Sequence, residues 1–367
     1  MKKTKKKSNA GKVVLTIVLR SLLVIFTIVA IAVGGLCVTL NVIFNGPSPS
    51  ARDVLTMSLL EASATKWVPG LFIGQDKVEE IRARVDAPLP EDFSNASQVI
   101  ITSGTSADTS DEWENYPDGI RIESISGDTY NAHVMIVRDP SSVYLATSSD
   151  RFSTSIPGAR ITAQIEVEGA IAGVNAGAFN DDGTANSYVG SCPIGMVISE
   201  GKIVWDDGQN YEGFVGFNED NILVVANSMD KTRAKELKIR DGCCFGPVLI
   251  MNGVVNQVEY SANSGYNPRT ALGQRADGAV IFVCIDGRQV GSLGGTYTDL
   301  INIMVEYGAV NACNLDGGSS TVMLYRDTEG RYGEAGEVVM INNYSLLQEK
   351  PRLMPTFFMV RPAESEE

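Results

Sequence analysis

Gly308-Ala-Val-Asn-Ala-Cys-Asn-Leu-Asp-Gly-Gly-Ser-Ser-Thr-Val-Met323 decides how the rest of the chain is read. Val310, Ala312 and Leu315 stand among small polar residues, the alternation expected of a buried strand. The pattern breaks at Asp316-Gly317-Gly318. Paired glycines let a backbone adopt positive φ and come close to a ligand. Ser319, Ser320 and Thr321 add short hydroxyls suited to a helix N-cap or a substrate oxygen. The stretch therefore predicts a carboxylate at a strand end beside a loop rich in N–H groups. A plain Asp-Gly turn is the competing reading.

Similar junctions lie elsewhere. Ala172-Gly-Val-Asn-Ala-Gly-Ala-Phe-Asn-Asp-Asp-Gly183 runs an apolar strand into Asn175 and Gly177. Small residues there would let a ligand reach the Asn175 amide. Asp181 and Asp182 could contribute to a Ca²⁺ site, but one acidic turn falls short of six oxygens. Asn267-Pro-Arg-Thr-Ala-Leu-Gly-Gln274 carries Arg269, the only base between Asp241 and Gln274. Its guanidinium could hold a phosphate bidentately or form a surface ion pair. Ile281-Phe-Val-Cys-Ile-Asp-Gly-Arg288 delivers Asp286 at the end of an apolar strand, as Asp316 is delivered. Asp286 and Asp316 are either a carboxylate pair for glycosyl transfer or two turn aspartates.

His133 is the single histidine and reads as a satisfied strand residue. There is no Gly-x-Ser-x-Gly elbow, so a serine triad would need His133 as its base. Poly-His metal sites are excluded. The sequence requires no cofactor and leaves a divalent cation such as Ca²⁺ open. No phosphate-binding loop of the GxxxxGK[ST] kind is present.

The 367 residues allow one large or two small domains. Net charge is −14; seven of the 30 bases lie in residues 1–20, leaving 23 against 44 acids beyond them. So acidic a body argues against nucleic acid as a partner. Ser21 to Phe44 is 24 residues without a charge, long enough for a helix to span ~30 Å of hydrocarbon. The lysines ahead of it place the N-terminus in the cytoplasm and the remainder outside. The run exceeds a signal-peptide core and lacks a clear cleavage site, so an uncleaved signal anchor is expected. Export would permit one disulfide between Cys192 and Cys243 or Cys244, while Cys284 and Cys313 sit in buried-strand patterns.

Helices are expected over 51–66 and from Lys77 to Val85, forming a stalk. Residues 86–118 are acidic and rich in Ser, Thr and Pro, which reads as a linker. From Ile120 short apolar runs alternate with Gly, Asn and Asp turns. A helix should follow Thr296-Tyr-Thr-Asp299 and stop at Gly308, and another should fall within Arg160–Ile171. The expected organisation is a basic tail (1–20), a transmembrane anchor (21–44), a stalk and acidic linker (45–119) and a strand-rich α+β domain with few helices (120–362).

Taken in order, VNAGAFN (174–180), PIGMVISEGKIV (193–204), FGPVLIMNG (245–253), NPRTALGQ (267–274), FVCIDGRQ (282–289) and NLDGGSSTVM (314–323) resemble the phosphodiester glycosidase family. The resemblance covers roughly 120–362. The family usually has Asn-Gly-Gly-x-Phe where this chain has Asn175-Ala-Gly-Ala-Phe179. The resemblance implies an α/β fold and cleavage at a sugar anomeric carbon, with a sugar-1-phosphodiester of N-acetylglucosamine type as substrate. On that footing Asp316 or Asp286 would serve the anomeric centre. Arg269 and the amides near Gly317 and Gly318 would hold phosphate. Asn175, Gly177, Ser319 and Ser320 would line the sugar. A membrane-anchored cell-surface enzyme on phosphate-linked glycans is the reading, possibilities including exopolysaccharide. A non-catalytic phosphoglycan-binding module in envelope or exopolysaccharide assembly is the alternative.

Overall fold

The structure is a computed structural model that describes residues 9–46, 49–60, 65–83, 93–95, 99, 113–180, 189–209, 211, 213–256, 265–343 and 350–362. Asp181, Asp182 and most of the expected linker lie outside the described residues. Helix α1 (Asn9–Asn45) contains the charge-free run and is long and apolar enough to cross a membrane. Three short helices follow: α2 (Pro49–Leu60), α3 (Val68–Ile73) and α4 (Gln75–Ala83). Met57 of α2 and Ile81 of α4 form a small apolar cluster of their own, with Leu60 and Ile73 against it.

Beyond them the chain is mixed α and β. Its first elements are β1 (Ile120–Ser126), β2 (Asn131–Val137), β3 (Val143–Thr147), α5 (Ile161–Glu168), β4 (Ala172–Asn175), β5 (Met196–Ser199) and β6 (Lys202–Asp206). Next come β7 (Phe214–Asn218), β8 (Leu223–Ala226), α6 (Lys231–Glu236), β9 (Ile239–Cys244), β10 (Val248–Met251) and β11 (Val254–Val255). The chain continues with β12 (Arg269–Arg275), β13 (Val280–Ile285), α7 (Tyr297–Glu306), β14 (Ala309–Leu315), β15 (Met323–Arg326), β16 (Val338–Met340) and β17 (Thr356–Val360).

The strands make three antiparallel sheets, ordered β1-β2-β13-β12-β14-β10-β11, β16-β15-β4-β17-β3 and β6-β5-β9-β7-β8. In the first sheet successive side chains point to opposite faces. Met135, Leu272, Phe282 and Cys313 enter a core shared by all three sheets. Phe217 meets Phe358 edge to face there, linking the other two sheets. Val134, Ala271, Ile281, Val283 and Ala312 face the other way, onto Leu300, Ile301 and Met304 of α7. That is why β13 reads as continuously apolar: both of its faces are covered.

Helix α7 carries the expected capping box. Thr296 Oγ1 accepts from Asp299 N–H at 3.2 Å, and Thr296 N–H donates to Asp299 Oδ2 at 2.7 Å. Gly308 follows with φ +81°, as its stop position required. The simple alternation read for β14 fails at Val310. Gln274 pairs with Asn311 and Arg275 with Ala309, so Val310 is the extra residue of a bulge and Asn311 turns inward. All six cysteines are free thiols, so neither pairing considered for Cys192 forms.

Candidate functional site

Strands β13 and β14 both pair with β12, and each is followed directly by an aspartate. Arg269 lies opposite Ile285, and Thr270 lies opposite Leu315. One rung further, Asp286 falls opposite Pro268 and Asp316 opposite Arg269. With strands about 4.8 Å apart, the two aspartate backbones are roughly 10 Å apart. Their faces differ. Asp286 continues the row of Phe282 and Cys284, towards the shared core and His133. Asp316 continues the row of Ala312 and Asn314, the face on which Arg269 lies over the Tyr297 ring. Sheet alternation thus sends the two carboxylates in different directions.

Asp286 is buried and held. Its Oδ1 accepts from the Asn343 N–H at 3.0 Å and its Oδ2 from Asn343 Nδ2 at 2.8 Å. His133 Nε2 stands 3.5 Å from the same Oδ2, too far for a good hydrogen bond. The other ring nitrogen, Nδ1, is 3.0 Å from Ser124 Oγ. His133 is therefore satisfied at one nitrogen only.

Asp316 is half-buried, and its backbone is fixed from both sides. Its N–H donates to Ala176 O at 3.0 Å, and its carbonyl accepts from Asn175 Nδ2. Asn175 is wholly buried. Its Oδ1 accepts from Thr270 Oγ1 at 2.9 Å and from Val322 N–H at 3.1 Å. The amide read as a ligand group thus clamps β12, β14 and the turn after β14 together. Gly177 is a close-packing position, because a Cβ there would lie 2.9 Å from Cys243 Cβ. Its N–H donates to Thr356 Oγ1 at 3.1 Å.

The Gly317–Ser320 turn lies against Pro268. The Gly318 N–H donates to Pro268 O at 2.8 Å, and a Cβ on Gly317 would lie 2.7 Å from the same oxygen. Gly318 has φ +59°. The Ser320 N–H is used inside the turn, by Gly317 O. Ser319 Oγ receives Arg352 Nη1 at 3.2 Å, and the Arg352 guanidinium also covers the Phe179 ring.

Three guanidiniums adjoin these strand ends and the turn. Arg269 is buried, donating Nε to Gly295 O and Nη2 to Gly265 O, each at 3.2 Å. Arg288 Nη2 donates to Asn267 Oδ1 at 2.8 Å, and its Nη1 would lie 3.3 Å from a Cβ on Gly318. Arg352 is the third. In a chain of net charge −14 this is a local concentration of cations suited to an anion. Sequence reasoning named Arg269 but missed the other two. Arg288 follows Asp286-Gly287 directly, a signal that was available. Arg352 arrives from β17's approach and has no local signature.

Unpartnered polar atoms concentrate in the same region. Among the described residues, His133 Nε2, Asn267 Nδ2, Asn314 Oδ1, Ser320 Oγ and Thr321 Oγ1 are buried without a hydrogen-bond partner. These five belong to, or directly adjoin, the strand ends and turns just described; Trp205 Nε1 of β6 is also buried without a partner, away from them. Buried polar groups are normally satisfied, so these atoms are ones that a bound water or a ligand would complete. Beneath it, burial pushes the Cys284 thiol far above its ordinary pKa, leaving an inert floor. No group of three or more His, Cys, Asp or Glu among the described residues is arranged to hold a metal ion.

A family model described as phosphodiester glycosidase matches residues 168–361, just over half of the chain. The SPbeta prophage-derived protein YomE of Bacillus subtilis strain 168 is 25% identical over 202 residues, 53% of this chain and 28% of that relative. The chain thus spans little more than a quarter of that relative's length. Among solved structures, the zebrafish N-acetylglucosamine-1-phosphodiester alpha-N-acetylglucosaminidase catalytic domain, auto-inhibited by its pro-peptide, aligns with TM-score 0.49 and 20% identity. That alignment covers 66% of this chain and 82% of that one. A protein of Burkholderia pseudomallei K96243 aligns with TM-score 0.44 and 16% identity, over 64% of this chain and 74% of that one.

Proposed function

Because the chain belongs to the phosphodiester glycosidase family, we propose that it hydrolyses a sugar-1-phosphodiester at the anomeric carbon. Water adds to that carbon, the bond from it to the bridging oxygen breaks, and the phosphomonoester leaves with the bonding electrons. N-acetylglucosamine is the sugar to try first, on the resemblance of the motifs. Helix α1 anchors the chain with its basic end in the cytoplasm and the sheets outside the cell, where phosphate-linked glycans are available.

The observation that supports this reading is that Arg269, Arg288 and Arg352, with the unpartnered atoms of Asn267, Asn314, Ser320 and Thr321, adjoin the strand ends and the turn that carry the half-buried Asp316. A phosphomonoester is already anionic, so cations help it leave and acid catalysis matters less than in ordinary glycosides. Arg269, Arg288 and Arg352 supply that charge. Asp316 stabilises the positive charge that develops at the anomeric carbon, either as nucleophile or as base for the water. Ser319 and Ser320 offer hydroxyls to the sugar. Asn175 and Gly177 serve by fixing the backbone on which Asp316 rides, and Asp286 serves behind the site with His133.

The test is a product analysis. The full-length protein is incubated with methyl GlcNAc-1-phosphate, and the products are separated by mass. Free GlcNAc plus methyl phosphate supports the reading. GlcNAc-1-phosphate plus methanol would mean phosphorus–oxygen cleavage instead. Saturable binding without turnover would favour the phosphoglycan-binding alternative.

A further inference from the structure

The apolar surface of α1 is exposed from Val14 to Val38, half-buried at Leu40 and Ile43, and buried at Phe44. Phe44 is 1% exposed, because its ring stacks on Phe72 of α3 at 5.1 Å. Helix α3 therefore lies at the level where α1 no longer needs lipid around it. Trp67, its N-cap residue, is 59% exposed and Leu71 is 71% exposed. An exposed tryptophan and leucine at that level suit a membrane interface.

The same foot touches the candidate site. Ser58 of α2 accepts the Tyr266 N–H at 2.8 Å, and a Cβ on Gly265 would lie 2.3 Å from Ser58 N. The Gly265 carbonyl in turn accepts from Arg269 Nη2. One peptide group thus separates the foot from a guanidinium of the site. Ser58 stands nine residues after Pro49, about 14 Å of helix rise. Beside Gly265 and Tyr266, Asn267 pairs with Gly295, which ends the turn that begins at Asp286. Val290, at the tip of that turn, is 97% exposed, and Leu293 is 61% exposed. Single exposed apolar residues are ordinary. Here they flank a cationic site that is joined to a foot at the end of a membrane helix.

We propose that the alcohol part of the substrate is a membrane lipid: the site takes a glycosyl phospholipid whose phosphodiester lies at headgroup height. This rests on the phosphodiester glycosidase reading above. The bilayer is the occupant assigned to Val290 and Leu293, because the foot that ends α1 bonds to Gly265–Asn267, and Asn267 pairs with the end of their turn. Val290 and Leu293 rest against the acyl region, while Arg269, Arg288 and Arg352 meet the phosphate. Hydrolysis then releases free sugar to the water and leaves a lipid phosphomonoester in the membrane.

The experiment uses the full chain in phosphatidylcholine vesicles with two substrates at equal bulk concentration. One is methyl GlcNAc-1-phosphate in solution; the other is GlcNAc-1-phosphate esterified to a long-chain isoprenoid alcohol in the same vesicles. Confinement to one surface raises effective concentration, so kcat/KM for the lipid ester should be higher by roughly tenfold or more. Helix α1 still confines each variant, so Val290→Asp with Leu293→Asp, and separately Leu71→Asp, should reduce that preference severalfold without abolishing it, while methyl ester turnover stays within about twofold of the parent. Equal turnover of both esters by the parent protein would overturn the lipid assignment and leave the glycosidase reading intact. Turnover of neither ester would sink the glycosidase reading itself. A lipid preference unchanged in both variants would overturn the assignment of Val290 and Leu293 to the membrane.

Discussion

Arg269 and Asp316 face the same side of the sheet, one rung past the last pair of β12 and β14, and this register separates Asp316 from Asp286. Asp286 is packed against two Asn343 donors and His133, so Asp286→Asn would turn an amide NH2 or a weaker acceptor towards donors. Its stability should fall by about 1–3 kcal/mol. Asp316→Asn keeps the backbone clamp from Asn175 and Ala176, so its Tm should change little. If Asp316 carries the charge that meets the anomeric carbon, its kcat should drop by about 10²-fold or more while substrate affinity changes less. Melting curves and kcat for both variants check this pair. A stable Asp316→Asn protein with near-normal kcat would remove Asp316 from the role and leave Asp286. At this scale the loop carrying Asp316 and the base Arg269 were legible, because Asp-Gly-Gly and a lone base in an uncharged stretch are local signals. The inward use of the Asn175 amide was not legible. Its partners Thr270, Asp316 and Val322 are 95 to 147 residues away, and only the fold brings them together.

Helix α7 and the turn after β15 show where element-level reading succeeds and stops. Thr296, Asp299 and Gly308 announced both ends of α7 through hydrogen-bonding groups adjacent in sequence. The Val310 bulge had no such signal, because it answers to the register of β12 and not to its own neighbours. Asp327 was also passed over, although it organises the turn that follows β15. Its Oδ1 accepts from the Arg331 N–H at 2.9 Å, and its Oδ2 from the Tyr332 and Gly333 N–H groups at 2.6 and 2.8 Å. Burial alone would raise the Asp327 pKa, but these amide donors outweigh it and hold the pKa below the ordinary carboxylate value. A carboxylate with a depressed folded pKa contributes stability above its unfolded value of about 3.9, and that contribution is lost as pH falls through the folded value. Asp327→Asn should therefore cost about 1–3 kcal/mol at pH 7 and lose part of the parent's sensitivity to acid. Tm measured at neutral pH and near pH 3 tests it. Equal differences between variant and parent at both pH values would remove Asp327 as the source of that stability.

The whole molecule divides its charge unevenly, and this division bears on its orientation. Seven bases and no acid lie in residues 1–20, whereas the residues beyond carry 44 acids against 23 bases. Between them runs α1, whose apolar side chains are exposed from Val14 to Val38. Basic residues flanking a first membrane helix are retained on the cytoplasmic side. The three sheets would then lie outside, fused into one unit by the core that Phe217 and Phe358 share. The sheet order was the least legible feature of the sequence. β2 pairs with β13 across some 150 residues, placing His133 against Cys284, and alternation within either strand says nothing about its partner. Orientation rests on charge alone, so it can be tested without the fold. A protease added to intact cells should remove the sheets while residues 1–20 stay protected, and breaking the cells should expose those residues too. Because a fused core resists cleavage, the assay should also be run under mild denaturation that leaves the cells intact. Protection of the sheets in intact cells under both conditions, with digestion after lysis, would reverse the orientation and remove the extracellular substrates with it.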